Sequence, residues 1–154
     1  MKVLKLIGAI VLCEAIGSLG ALATTPNITS WYATLTKPSF SPPNWLFAPA
    51  WGILYALMGI ALYLVWESNK KNKKTAYAVF SAQLALNLAW SVIFFGFHAM
   101  TAAFVEIVVM WVLILLTILS FRKISKAAAY LLIPYILWVT FASTLNLAVV
   151  ILNK

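Results

Sequence analysis

Charge in this sequence is almost confined to the gaps between five long apolar stretches, and that pattern constrains the fold more than any other feature. The stretches are residues 6–24, 45–66, 76–97, 101–121 and 127–152, and only Glu14 and Glu106 interrupt them. Each is long enough to cross a hydrocarbon core of about 30 Å as a helix rising 1.5 Å per residue. Lipid offers backbone N–H and C=O groups no partners, so a spanning segment must satisfy its own, as a helix does. The expectation is an all-α protein: one integral membrane domain over residues 1–154, built as a bundle of five transmembrane helices. Composition excludes the other classes. Charged residues make up 9% of the 154, against roughly 25% in soluble domains, which rules out a water-soluble enzyme, and the 64% apolar content rules out disorder. The net charge of +8 does not point to nucleic acid, because the cations are scattered between apolar runs and form no basic face. Cys13 is the only cysteine, so no internal disulfide forms.

Lysine and arginine set the orientation. With five spans, the N-terminus and the second and fourth connections share one side and hold nine cations: Lys2, Lys5, Lys70, Lys71, Lys73, Lys74, Arg122, Lys123 and Lys126. The other side holds Lys37 and Lys154. The positive-inside rule therefore predicts a multi-pass cell-membrane protein with a cytoplasmic N-terminus, its C-terminus and Pro-rich first connection outside. The first stretch also has the outline of a secretory signal peptide, but Glu14 in its middle and its length favour a span.

Helical phase divides each span into faces. In the third, Ala78, Ser81, Ala82, Ala85 and Ala89 form a small-residue face, expected to be a packing seam and a candidate dimer seam. Gln83, Asn87, Trp90 and Phe94 lie nearly opposite and should face the interior, since amides are costly in lipid. The second span carries an aromatic stripe (Phe47, Trp51, Tyr55) and a small one (Gly52, Ala56, Gly59). In the fifth, Pro134, Trp138, Phe141, Ala142, Leu145 and Asn146 share a face. Trp45, Trp66 and Trp111 are read as interfacial anchors. Trp51, Trp90 and Trp138 lie deeper, and their indole N–H groups need acceptors.

These residues carry a resemblance. Trp31-Tyr32, Lys37-Pro38, Pro42-Pro43, Trp51 and Leu54-Tyr55, then Gln83, Leu86-Asn87 and Trp90, then Pro134-Tyr135, Trp138, Phe141-Ala142 and Leu145-Asn146 resemble the translocator protein family (TspO/MBR, tryptophan-rich sensory protein, peripheral benzodiazepine receptor). The resemblance implies a five-helix bundle, often a homodimer, whose pocket opens toward the first connection. It also implies binding of porphyrins such as protoporphyrin IX and of benzodiazepine-type ligands, and possible light-dependent porphyrin breakdown. The family pocket maps onto Tyr32, Trp51, Asn87, Trp90, Trp138, Ala142 and Leu145. A flat macrocycle would stack against Trp51 and Trp138, which would also act as electron donors in any photochemistry. Asn87 would orient its polar atoms. Trp31, Tyr32 and Lys37 would form a lid, stiffened by Pro38, Pro42 and Pro43, with Lys37 placed to meet a propionate.

Several departures and alternatives follow from the residues themselves. No Tyr lies between Leu147 and Lys154, so the animal cholesterol motif is missing. One His and one Cys far apart make a poor haem or metal site, so no metal and no resident cofactor are expected, and His98 is read as a solvated turn residue. Hydrolytic chemistry lacks a nucleophile with a positioned base. The alternatives are a proton-coupled transporter using Glu14, which shares a face with Gly17, Ser18 and Ala21, and a porphyrin sensor acting through a partner. Glu106, nearer the outer end of its span, is expected to be the more solvated carboxylate.

Overall fold

The computed structural model describes residues 2–154. Five helices are long and apolar enough to cross a membrane: Lys2–Ile28, Asn44–Glu67, Lys74–Gly96, Met100–Arg122 and Lys126–Leu152. No strand occurs among the described residues. In order, the elements are α1 (Lys2–Ile28), the short α2 (Trp31–Thr34), α3 (Phe47–Glu67) entered through a tight turn at Asn44–Leu46, α4 (Lys74–Ser91), α5 (Met100–Arg122), α6 (Lys126–Leu131) and α7 (Ile133–Leu152).

Three local departures from the expected spans have physical causes. α1 extends four residues beyond the expected range at each end and holds Pro26 in its last turn. There the proline removes one hydrogen bond next to backbone groups that a helix end leaves free anyway. The fifth span is two helices broken at Leu132. Pro134 follows two residues later; it has no N–H for the Tyr130 carbonyl, and its ring disfavours a continuous preceding turn. α4 ends in a wider turn over Val92–Gly96, and His98, at φ 55, reverses the chain into α5.

Each end of the bundle closes differently. At the Lys-rich end, Lys5 pairs with Glu67 at 2.7 Å, joining the start of α1 to the end of α3. Lys73 donates to the Trp66 carbonyl at 2.9 Å, satisfying a group that α3 leaves open. Ser125 caps α6, accepting from the Ala128 N–H at 3.3 Å. At the Pro-rich end, Thr36 and Asn153 exchange two hydrogen bonds, both 2.9 Å, which pin the first connection to the end of α7.

Around the bundle α3 packs on α1, α1 on α4, α4 on α5, and α5 on α6 and α7. The ring closes where α3 meets α6, at the Lys-rich end. The core there is tight: Met58, Ala61, Val65, Phe121 and Ala128 are fully buried, and Phe80 stacks on Phe121 at 5.6 Å. Gly59 lets α1 touch α3, since a Cβ there would lie 2.5 Å from the Ile10 backbone. Gly17 does the same against the ring of Tyr55.

Three expectations about faces need correction. Ala78, Ser81, Ala82 and Ala85 are exposed, so the small-residue face of α4 is not a seam within the chain; α1 and α5 take the flanks of α4 and the core takes the opposite side. Trp111 is no interfacial anchor. It lies about midway along α5, its indole N–H donating to Thr140 of α7 at 2.8 Å, which supplies the acceptor it needs away from water. Glu106 is the less solvated carboxylate: both oxygens are buried without a partner, because packing against neighbouring helices, not height along its own, decides access to water.

Candidate ligand-binding site

Because α3 leans on α6 more than on α7, the upper parts of α1, α3 and α7 diverge toward the Pro-rich end. The result is a cavity of about 310 Å³ between them. Tyr32, Trp51, Asn87, Trp90, Trp138, Ala142 and Leu145 all line it. Ser18, Ala21, Thr25 and Ala48 also line it and are exposed, so the cavity opens sideways between α1 and α3.

Its aromatic wall is interlocked. Trp51 and Trp138 meet edge to face at 6.5 Å, and Trp51 lies 5.6 Å from Tyr55 and 6.3 Å from Tyr135. Such pairs fix one another's orientation, so the wall is set before a ligand arrives. On the opposite flank Trp90 stacks on Phe94 at 5.0 Å.

Polar groups at the floor are mostly committed to each other. Tyr55 donates to Asn87 Oδ1. Asn87 donates to the Tyr135 hydroxyl at 2.9 Å, and that hydroxyl donates to Gln83 Oε1 at 2.8 Å. Asn87 therefore lines the cavity while holding two tyrosines in place. Trp90 donates to Asn146 at 3.1 Å, and Asn146 donates to the Met100 carbonyl at 3.0 Å. One donor is left over: the Trp138 indole N–H is buried without an acceptor. A buried N–H without a partner costs about 1–3 kcal/mol, so this indole is held by its ring contacts with Phe47, Trp51 and Phe141 and not by a hydrogen bond.

The first connection covers the mouth. Tyr32 is buried and lines the cavity, packing on Phe95 at 5.7 Å. Burial pushes its phenol above the ordinary range, so the group stays a neutral donor at physiological pH. Lys37 lies over the Tyr32 ring at 4.9 Å. Trp31 does not reach the cavity; it rests on Phe94 at 5.4 Å and stacks on His98 at 4.1 Å. His98 is exposed as expected, yet it also meets Asn27 at 3.0 Å, so the turn holds down the connection.

Sequence reasoning missed Tyr55 and Tyr135 as parts of the site. The signal was available: a buried Asn87 must find partners, and a tyrosine stands near the same depth on each of the two facing spans. A cluster of three or more metal-binding side chains does not occur among the described residues.

Fold and cavity together define a class: a multi-pass membrane bundle with an aromatic cavity at one end, partly covered by its first connection. A model of the TspO/MBR family matches residues 9–152. The chain is similar to "Tryptophan-rich protein TspO" of Archaeoglobus fulgidus, 44% identical over 153 residues and 99% of both chains. The protein of the same name from Chlorobaculum tepidum is 46% identical over 157 residues, covering 99% of this chain and 98% of that one. The human "Translocator protein" is 41% identical over 122 residues, covering 77% of this chain and 72% of that one. The chain belongs to the TspO/MBR family.

Proposed function

We propose that this membrane protein is a receptor for porphyrins of the protoporphyrin IX type and for other flat hydrophobic ligands. The observation that carries the reading is the preset aromatic wall of the cavity, in which Trp51 meets Trp138, Tyr55 and Tyr135 ring to ring. A flat π-system stacks there with a large desolvation gain. At about 310 Å³ the cavity is at the small end of ligand sites, which run about 300–1,000 Å³. A tetrapyrrole would therefore extend into the gap between α1 and α3, with its propionates toward the mouth, where Lys37 stands. Replacing Trp51 and Trp138 separately by Phe and titrating protoporphyrin IX tests this; unchanged affinity in both variants removes it.

A second reading concerns light. Trp51 is in ring contact with both Tyr55 and Tyr135, which places three oxidisable rings side by side next to the proposed ligand. In that reading Trp51 or Trp138 gives one electron to the excited porphyrin, leaving an indole radical cation and a reduced porphyrin that dissolved dioxygen then oxidises. The double Phe variant loaded with porphyrin would then bleach more slowly under illumination; bleaching at the wild-type rate counts against it.

The N-terminus and the Lys-rich connections face the cytoplasm, as nine cations against two favour, which puts the cavity in the outer half. The exposed Ala face of α4 is the surface on which a second copy would pack to form a homodimer, because small residues let two backbones approach. Cross-linking from a cysteine introduced at Ala82 tests that contact.

A further inference from the structure

A porphyrin does not explain Glu14. It stands about midway along α1 and is one of the residues that line the cavity. No Lys, Arg or His lines the cavity with it. Lys5–Glu67 is the only ion pair among the described residues, so Glu14 has no cationic partner. The third carboxylate, Glu106, does not reach the cavity. One acid therefore stands in an apolar chamber walled by Trp51, Tyr55, Trp90 and Trp138.

We propose that this cavity also accepts flat organic cations, with Glu14 as their counter-ion. The chemistry is complementary on two sides. The faces of indole and phenol rings attract a delocalised cation, most strongly where water is displaced. An unpaired carboxylate in a low-dielectric site is costly, and a ligand that brings a positive charge removes that cost. Gly17, about one turn along α1, packs directly on the Tyr55 ring, so α1 brings Glu14 within a turn of a ring of the aromatic wall. The proposal rests on the cavity being a ligand site, and it names a ligand class and a selecting residue for it.

Two probes of one shape separate charge from fit: 10-methylacridinium and its neutral analogue 9-methylanthracene. Each is titrated against wild type, Glu14→Gln and Glu14→Asp in nanodiscs of neutral lipid, reading tryptophan quenching and subtracting protein-free discs. Wild type is expected to prefer the cation. Glu14→Gln should weaken the cation about tenfold or more and the neutral probe less than twofold, with Glu14→Asp keeping most of the preference. No cation preference in wild type overturns the proposal, which needs no variant to fold. So does a cation affinity in Glu14→Gln within twofold of wild type, or an equal fall for both probes. Protoporphyrin IX titrated into the same samples reports the receptor reading separately: a protein that binds the cation through Glu14 but no porphyrin refutes only the latter.

Discussion

The bundle's two ends are built from the same helices to opposite standards. At the Lys-rich end α1 and α3 touch through Gly59, whose added Cβ would lie 2.5 Å from Ile10, and α6 closes the ring. At the Pro-rich end the same two helices part around a cavity of about 310 Å³, and Gly52, seven residues earlier in α3, has nothing within 4 Å of its Cβ position. Polar groups differ as well. The Lys-rich end pairs Lys5 with Glu67 and caps helix ends with side chains, whereas around the cavity the Trp138 N–H is buried behind its ring without a partner and Glu14 has no cation. One end holds the helices together so that the other can stay open.

Substitutions can break that contrast. The largest effect is expected at Gly59→Ala: backbone cannot move aside as a flexible side chain would, so the change should cost about 1–3 kcal/mol, read as a lower thermal midpoint in detergent. Tyr135→Phe comes next. It strips Gln83 and Asn87 of their shared partner and should cost about 1–3 kcal/mol, although it sits beside the cavity. Trp138→Phe should act in the opposite sense, lowering porphyrin affinity about tenfold, or about 1.4 kcal/mol, while stability changes little, because the lost N–H had no partner. Lys37→Ala should weaken porphyrin binding by up to about fivefold, the worth of one exposed ion pair with a propionate, about 0.2–1 kcal/mol. Smallest is Gly52→Ala, expected to leave the thermal midpoint within about 0.5 kcal/mol of wild type. If Gly52→Ala destabilises as much as Gly59→Ala, the two ends do not differ as described.

Much of this was legible along the chain, and what escaped has a common cause. Apolar length located all five spans, and helical phase turned Trp51, Asn87, Trp90 and Trp138 inward, because a helix in lipid must put costly groups on one side. Phase says nothing about neighbours. It could not tell that Glu106 is sealed under adjacent helices while Glu14 opens on the cavity, nor that Trp111 meets Thr140 across a helix pair. The Ala face of α4 was visible as a stripe, but only packing showed that no helix of this chain covers it. The division of Trp31 and Tyr32 was likewise beyond a lid of adjacent residues: Tyr32 turns into the cavity, and Trp31 rests on His98 and Phe94.

By itself, then, the sequence determined a five-helix membrane protein, its family and the aromatic residues that share a depth. These follow from the solvent: a bilayer dictates helix length, demands internal backbone bonding and penalises each misplaced polar group one residue at a time. Only the tertiary structure decided where the helices part, which indole is left without an acceptor and which carboxylate looks into the space. Those depend on distances between groups far apart in the chain, set by the glycine contacts and the α3–α6 closure at the opposite end.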